Sequence, residues 1–93
     1  MVIGVCTIEL RIHGGRSLKE KRRVLRSVKD RIRNRFNVSI AEVDYQDKWQ
    51  RALLALAAVS NERNHVTGLL ESALSAVESM GLAEIVDAEI EIL

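Results

Sequence analysis

The stretch Ser17–Phe36, SLKEKRRVLRSVKDRIRNRF, has the residue spacing of an amphipathic helix. Ser17 and Glu20, three positions apart, match an N-terminal capping box, which predicts where the helix begins. Lys21 lies near the apolar face, where we expect its methylenes to pack while the ammonium reaches water. The apolar face of this predicted helix consists of Leu18, Leu25, Val28, Ile32 and Phe36, with Val24 at its edge.

The opposite face of the helix is strongly positive. Residues 16–35 include ten Lys or Arg and two acids, a net charge of +8, whereas the rest of the chain has four Lys or Arg and 11 acids, a net charge of −7. The overall net charge of +1 therefore hides a polarised molecule. The cations opposite the apolar face, interrupted by one acid at Asp30, are Lys19, Arg22, Arg23, Arg26, Lys29 and Arg33.

Three strands are predicted around this helix. Residues 2–12 alternate with a period of two, which places Cys6, Ile8, Leu10 and Ile12 on one apolar face. Residues 38–45 form the second strand. Residues 51–60, RALLALAAVS, are almost wholly apolar, which is typical of a central strand. A helix is the competing interpretation of this third segment, but the short connection to the preceding strand favours a hairpin.

A second helix and a fourth strand complete the chain. Residues 62–80 have helical spacing, with Ser60-Asn61 as the predicted N-cap and Gly81 as the stop. Gly68 weakens this helix. Residues 83–93 alternate again, and one predicted face of this strand consists of Val86, Ala88, Ile90 and Ile92.

The resulting order, βαββαβ, predicts an α+β fold of the ferredoxin-like plait class, with a four-stranded antiparallel sheet and two helices on one face. The first and third strands would be central. Ninety-three residues accommodate one domain, which we assign to residues 1–93. Only three aromatic residues are present, so the core must be aliphatic, and Cys6, the single cysteine, is expected to be a small buried hydrophobe.

Several short segments of the chain resemble a known family. These are SLKEKR at residues 17–22, S-x-A-E-V at 39–43, Q-D-x-W-Q at 46–50 and V-S-N at 59–61. Together they are similar to the YlxP-like family of small bacterial domains of unknown function, over nearly the whole chain. The resemblance implies a ferredoxin-like fold. Relatives are often encoded beside genes for translation initiation and ribosome maturation, so it also favours a role in translation. It implies no catalytic residues.

The basic face of the first helix is the strongest candidate site. Cations at i, i+3 and i+4 repel one another and destabilise a helix, so a bound polyanion would offset that cost. Lys and Arg neutralise phosphates and release counterions. We expect structured RNA or the ribosome as partner, through phosphate contacts from Arg16, Lys19, Arg22, Arg23, Arg26, Lys29 and Arg33. The alternative is a solvated helix face, partly paired with carboxylates of the same chain.

The turn Gly14-Gly15-Arg16-Ser17 is a weaker candidate. Helix N-terminal N–H groups, Arg16 and Lys19 would converge there on one phosphate. The turn lacks the spacing of a P-loop, however, and a tight turn followed by a helix cap explains the same residues.

The uncovered sheet face is expected to be acidic and to repel RNA. The first and third strands lack the aromatic residues on which an RRM stacks bases. This face could instead receive a basic partner or the basic helix of another copy. The outward residues are predicted to include Glu9, Glu42, Asp44, Asp87, Glu89 and Glu91. Trp49, in the hairpin, is predicted to be half-buried and to close the core.

Catalytic and metal sites have no support in the sequence. His13 and His65 lack the neighbouring ligands of a zinc site, and Glu89 and Glu91 are typical of surface charges. No apolar run approaches the roughly 18 residues of a membrane span. We therefore expect a cytoplasmic, non-enzymatic accessory protein without cofactor. The alternative function is a homo-oligomeric interaction module, formed by pairing of the second and fourth strands and by opposite surface charges.

Overall fold

Four strands and two helices follow one another in the order βαββαβ. The structure is a computed structural model, and it describes residues 1–14 and 16–93, so that Gly15 of the predicted turn lies outside the described residues. The predicted elements are all present, with bounds shifted by at most one residue. They are β1 (Val2–Arg11), α1 (Leu18–Arg35), β2 (Ser39–Asp44), β3 (Arg51–Ser60), α2 (Arg63–Met80) and β4 (Glu84–Ile92).

The strands form one antiparallel sheet in the order β2-β3-β1-β4. β1 and β3 are therefore central, as predicted, and the architecture is the ferredoxin-like plait. α1 packs on β2 and on α2, and α2 packs on β1, β3 and β4. We call the side of the sheet under the helices the helix face and the other side the open face.

The core lies between the helix face and the two helices, and it is aliphatic as predicted. Alternate residues of β1 and β3 enter it, because the side chains of a strand alternate between faces. Cys6 is fully buried, and burial raises the pKa of its thiol. The other fully or almost fully buried residues include Ile8, Leu10, Leu54, Leu56, Leu25, Val28, Ile32, Val66 and Leu70.

Gly4 allows α2 to lie close to β1. A Cβ atom at this position would stand 2.5 Å from Val66 Cγ1 and 2.9 Å from Leu70 Cδ1. Real Cβ atoms do not approach other atoms so closely, so any larger residue would displace the helix or its side chains. Gly4 is therefore needed for the packing of α2 against β1.

Two bulges change which residues face the core. In β4, Leu10 pairs with Ile85 while Glu9 pairs with Asp87, so Val86 is an extra residue. The prediction that Val86 points inward and Ile85 outward was therefore wrong: Ile85 packs against the core and Val86 is 46% exposed. Simple alternation cannot reveal a bulge, because the extra residue reverses the face of everything beyond it.

The second bulge lies in β2, where Val43 is the extra residue between Glu42 and Asp44. Glu42 is opposite Leu54, which is fully buried on the helix face. The prediction that Glu42 belongs to the open face was wrong for this reason. Asp44 is opposite Leu53, so it remains on the open face as predicted.

Two further local predictions were wrong. α2 has Glu62 as its N-cap residue without a side-chain cap, and Ser60 Oγ instead accepts a hydrogen bond from the Glu62 N–H. Trp49 is 52% exposed, close to the predicted half-burial, but contrary to the prediction it is not packed against the core. Gly81, in contrast, ends α2 in the left-handed conformation (φ 65°), as its position predicted.

Candidate nucleic-acid interface

α1 is held at its N-terminus by the pair that the sequence indicated. Ser17 Oγ accepts a hydrogen bond from the Glu20 N–H at 3.2 Å. The reciprocal bond differs from a standard capping box, since Glu20 Oε2 accepts from the Arg16 N–H at 2.8 Å, one residue before the cap. This carboxylate already occupies the positive end of the helix, where a phosphate would otherwise bind. The geometry therefore does not favour the turn as an anion site.

The buried face of α1 fixes the direction of its basic face. Leu25, Val28 and Ile32 are at most 2% exposed, so the cations on the opposite side of the helix point into solvent. Lys29 is half-buried, whereas the other members of the predicted set are exposed. We call this predicted set the basic stripe; it consists of Arg16, Lys19, Arg22, Arg23, Arg26, Lys29 and Arg33.

Six of the seven basic-stripe residues line two adjoining open grooves. Arg22 and Arg26 belong to both grooves and thus connect them. The first groove, on the outer surface of α1, is completed by Lys19 and Arg23. The second lies between α1 and β2 and is completed by Lys29, Arg33, Leu25, Asp30 and Glu42. Arg16 lies at the turn before the helix and lines neither groove.

Most of the basic stripe has no acidic partner. Within the described residues, Arg33 is the one member with a carboxylate oxygen within 4.0 Å, that of Asp30 at 3.8 Å. The other ion pairs involve Arg11, His13, Lys21 and Arg51, which lie outside the stripe. Pairing with carboxylates of the same chain therefore does not explain the charge of this face.

Arg33 has a second role that the sequence did not indicate. Its Nη2 donates a hydrogen bond to the Ile40 carbonyl oxygen at 3.0 Å, which ties α1 to the edge strand β2. The guanidinium is still half exposed. Arg33 is thus partly a structural residue, and a substitution there would alter the α1–β2 contact as well as the charge.

Lys21 is the site of the largest difference from the sequence prediction. Its side chain is 1% exposed, so the ammonium does not reach water as predicted. Its Nζ donates a hydrogen bond to the Tyr45 carbonyl oxygen and lies 2.8 Å from Glu42 Oε2. The approach to Oε2 is close enough for an ion pair but lacks hydrogen-bond geometry, so this oxygen has no hydrogen-bond donor. The helical-wheel position of Lys21, one turn before Leu25, was the signal that could have revealed its burial.

Tyr45 extends this contact towards the open face. It has a positive φ of 62°, uncommon for a residue with a side chain, and its carbonyl oxygen also accepts from the Lys48 N–H. The Arg51 guanidinium lies 4.3 Å from the centre of the Tyr45 ring and 3.1 Å from Glu9 Oε2. The cation–π contact and the two ion pairs therefore link α1, β2, β3 and β1.

The open face has an acidic margin and an apolar centre. Three acids, Asp87, Glu89 and Glu91, follow one another on β4 at open-face positions. The centre, which the sequence prediction did not anticipate, is formed by Ile3, Val5, Leu53, Ala55, Ala57 and Val59. An apolar, non-aromatic centre provides no stacking surface for a nucleic acid, and the acids of β4 would repel its phosphates.

No group of three or more His, Cys, Asp or Glu residues in the described part of the chain is arranged to hold a metal ion. Neither α1 nor α2, the two helices among the described residues, is both long and apolar enough to cross a membrane.

Comparison with known proteins supports the family resemblance. Residues 3–90 match DUF503, a family described as a protein of unknown function. The uncharacterized protein YlxP of Bacillus subtilis (strain 168) is 44% identical over 78 residues, which cover 84% of this chain and 85% of that protein. The predicted resemblance to YlxP-like proteins is thereby confirmed.

Two solved structures are similar to this chain at low sequence identity. SnoaB, a cofactor-independent oxygenase from Streptomyces nogalater solved as a point mutant, has a TM-score of 0.53 and 9% identity. The alignment covers 98% of this chain and 90% of SnoaB. A structural-genomics protein, YJCS, has a TM-score of 0.49 and 13% identity over 96% of each chain. At such identities the likeness to SnoaB concerns the fold alone.

Proposed function

The chain belongs to the DUF503 family of proteins of unknown function, and we propose that it is a non-enzymatic accessory protein that binds structured RNA through the basic stripe of α1. The observation that carries the proposal is the unpaired state of the stripe: within the described residues, six of its seven cations have no carboxylate within 4.0 Å. Ribosomal RNA and a cytoplasmic location are the setting that the sequence resemblance favours.

The charge of α1 is costly unless something neutralises it. Like charges at i, i+4 on a helix destabilise it by a few tenths of a kcal/mol per pair. Lys19 and Arg23 form such a pair, as do Arg22 and Arg26. Because no described residue pairs these cations within the chain, an external polyanion is the partner that best offsets the repulsion.

The length and shape of the stripe suit a nucleic-acid backbone. From Lys19 to Arg33 the helix rises by about 21 Å, at about 1.5 Å per residue. One strand of a duplex carries a phosphate about every 3.4 Å along its axis, so roughly six phosphates lie alongside this length. The groove between α1 and β2 lets Arg22, Arg26 and Lys29 approach the same backbone from one side.

The expected contacts are to phosphate and not to base edges. Phosphate contacts fix position without reading sequence, and they depend on Lys and Arg. The apolar centre of the open face has no aromatic residue, and the acids of β4 would repel a second nucleic-acid contact. The protein is therefore expected to prefer RNA by shape, with little dependence on base sequence.

Fluorescence anisotropy with labelled structured RNA, single-stranded RNA and duplex DNA tests the proposal. The test variant is Arg22→Glu/Arg23→Glu/Arg26→Glu, which reverses three exposed charges. We expect a loss of affinity of at least about a hundredfold for structured RNA at low salt, since each neutralised phosphate contributes to the salt-dependent binding free energy. Structured RNA is expected to bind more tightly than the other two.

A matched control separates the stripe from net charge. Arg11→Glu/Lys48→Glu/Arg63→Glu changes the net charge by the same amount at exposed positions outside α1. We expect this variant to lose far less affinity. Wild-type protein that binds RNA no better than the α1 variant would overturn the proposal, as would an equal loss in both variants. Circular dichroism should show both variants folded, because the changed side chains are exposed.

A further inference from the structure

The central strands have a pattern that two layers of structure do not explain. β3 is apolar on both faces, which is typical of a strand covered on both sides, yet the helices cover one side only. On the open face, Ile3 is opposite Val59, and Val5 is opposite Ala57. Val59 is 62% exposed. An apolar sheet face of this kind is normally buried against another layer of structure.

We propose that a second copy of this chain packs its open face against the first, forming a two-fold symmetric dimer with the two sheets face to face. The apolar residues lie on β1 and β3, in the middle of the sheet, so a two-fold axis parallel to the strands between them places apolar centre against apolar centre. Each row then faces the same row of the other copy, so that Ile3 lies opposite Val59 and Val5 opposite Ala57.

The charges on the open face favour one of the two possible directions of the two-fold axis. A two-fold axis perpendicular to the strands would place β4 over the partner copy's β4, so that Asp87, Glu89 and Glu91 would face their own copies. An axis parallel to the strands places β4 over β2 of the other copy. In that arrangement Glu89 and Glu91 approach the part of β2 that is flanked by the basic stripe, which is a complementary contact. Asp87 approaches Asp44, beside Arg51 and Arg11.

The strand register makes this complementarity specific. Glu89 and Glu91 share rows with Thr7 and Val5, and through β3 these rows reach Ala41 and Ser39. In the dimer, Glu89 and Glu91 of one copy therefore bracket Ile40 of the other, the residue whose carbonyl oxygen holds the Arg33 guanidinium. At the other end, Asp44 and Asp87 share the row of Leu53 and Glu9, next to Arg51 and Arg11, which supply balancing charge.

The strand edges are less suited to self-association than the face. Edge strands avoid pairing through bulges and charged residues. β2 carries the bulge at Val43, and Arg33 occupies one of its carbonyl oxygens, while β4 carries the bulge at Val86 and its acids. A face-to-face dimer is also closed, whereas continued edge pairing is open-ended.

The size of the face sets the expected affinity. Four strands about 4.8 Å apart and eight residues long at about 3.3 Å each give a footprint on the order of 500 Å² per copy. Specific interfaces begin near about 600 Å² per partner, so we expect a dimer of modest, micromolar affinity.

Sedimentation equilibrium without nucleic acid, from about 1 to about 500 µM protein, tests the proposal over the corresponding range of dissociation constants. The mass should rise from one chain of 10.4 kDa to two and stop there. Ala57→Glu places a charge at the centre of the face on an exposed residue and should weaken the dimer by more than about a hundredfold, because an unpaired charge is costly to bury. Ser72→Glu, on an exposed position of α2, is the matched control and should dimerise like wild type.

Three results would contradict the proposal. These are a wild-type monomer at every concentration, an Ala57→Glu variant that dimerises normally while circular dichroism shows it folded, and a mass that continues to grow beyond two chains. The last result would indicate edge-strand pairing. None of these results concerns RNA binding, which is measured separately with the α1 variants. Either proposal can therefore fail without affecting the other.

Discussion

Lys21 Nζ lies 2.8 Å from Glu42 Oε2, and the two side chains are 1% and 17% exposed. This ion pair joins the helix that carries the basic stripe to the edge strand beside it. The lysine therefore differs from every other cation of α1: it is directed into the fold, where it also bonds the Tyr45 carbonyl oxygen, and it is unavailable to a polyanion.

Removing one partner of this pair should be strongly destabilising. Lys21→Met leaves the Glu42 carboxylate buried without its cation and the Tyr45 carbonyl with one donor fewer. We expect the free energy of unfolding to fall by about 3 kcal/mol, as for other half-removed buried pairs. Urea unfolding followed by circular dichroism measures this change.

The double variant Lys21→Met/Glu42→Leu separates the pair from its parts. Replacing both ions with apolar residues of similar size is often close to neutral, so we expect it to recover most of the lost stability. The single variant Glu42→Leu completes the comparison. If the double variant loses as much unfolding free energy as Lys21→Met and Glu42→Leu lose together, the two ions act independently and the pair is not the stabilising unit.

Gly4 and Gly68 should respond in opposite ways to the same substitution. Gly4→Ala forces a Cβ atom to within 2.5 Å of Val66 Cγ1, so we expect a loss of about 1–3 kcal/mol, as for overpacked cores. Gly68→Ala meets no atom within 4 Å and lies inside α2, so it should stabilise the fold by up to about 1 kcal/mol. Thermal unfolding of the two variants measures whether stability falls in Gly4→Ala and rises in Gly68→Ala. A Gly4→Ala variant as stable as wild type would show that α2 is free to move away from β1.

Cys6 should be unreactive in the folded protein and should make stability depend on alkaline pH. Burial raises the pKa of its thiol, so the unfolded chain loses the proton first as the pH rises. The stabilising difference is fully present below the ordinary thiol pKa of about 8.5 and declines above it, by at most about 1.4 kcal/mol per pH unit.

Comparison with Cys6→Ala isolates this effect from the other groups that titrate in alkali. The difference in unfolding free energy between wild type and Cys6→Ala should narrow as the pH rises above the ordinary thiol pKa of about 8.5. Iodoacetamide should label wild-type Cys6 only after addition of denaturant. A constant difference, or rapid labelling of the native protein, would show that the thiol is accessible.

The sequence was sufficient to predict the fold because each element carries a clear period. β1 alternates, α1 and α2 repeat at helical spacing, and Ser17 and Gly81 mark helix ends. The order of these elements then leaves few topologies. Ile85 was assigned to the wrong face because the bulge at Val86 inserts one residue, and nothing in the alternation itself marks an insertion. Glu42 precedes the bulge at Val43 and shares the helix face with the buried Ile40, so it was misassigned for another reason: both sides of β2 carry apolar residues, and alternation alone does not tell which side is inward.

The candidate site was predictable in composition but not in its pairing. The sequence located the cations of α1, but it could not distinguish two groups among them. Lys21 and Arg33 bond to β2 and the loop after it, whereas Arg22, Arg23 and Arg26 have no such partner among the described residues. Those contacts join residues from 7 to 24 positions apart and depend on how α1 lies across β2. The apolar centre of the open face was missed for a similar reason, since it is assembled from β1 and β3.

The salt dependence of RNA binding tests the central claim most directly. If the six unpaired cations of the basic stripe each neutralise one phosphate, the logarithm of the association constant should fall with the logarithm of salt concentration with a slope of about −4 to −5. The Arg22→Glu/Arg23→Glu/Arg26→Glu variant should show a slope smaller by at least about two. Affinity that does not change with salt, or a slope that is the same in the wild type and this variant, would contradict the account that α1 binds a phosphate backbone.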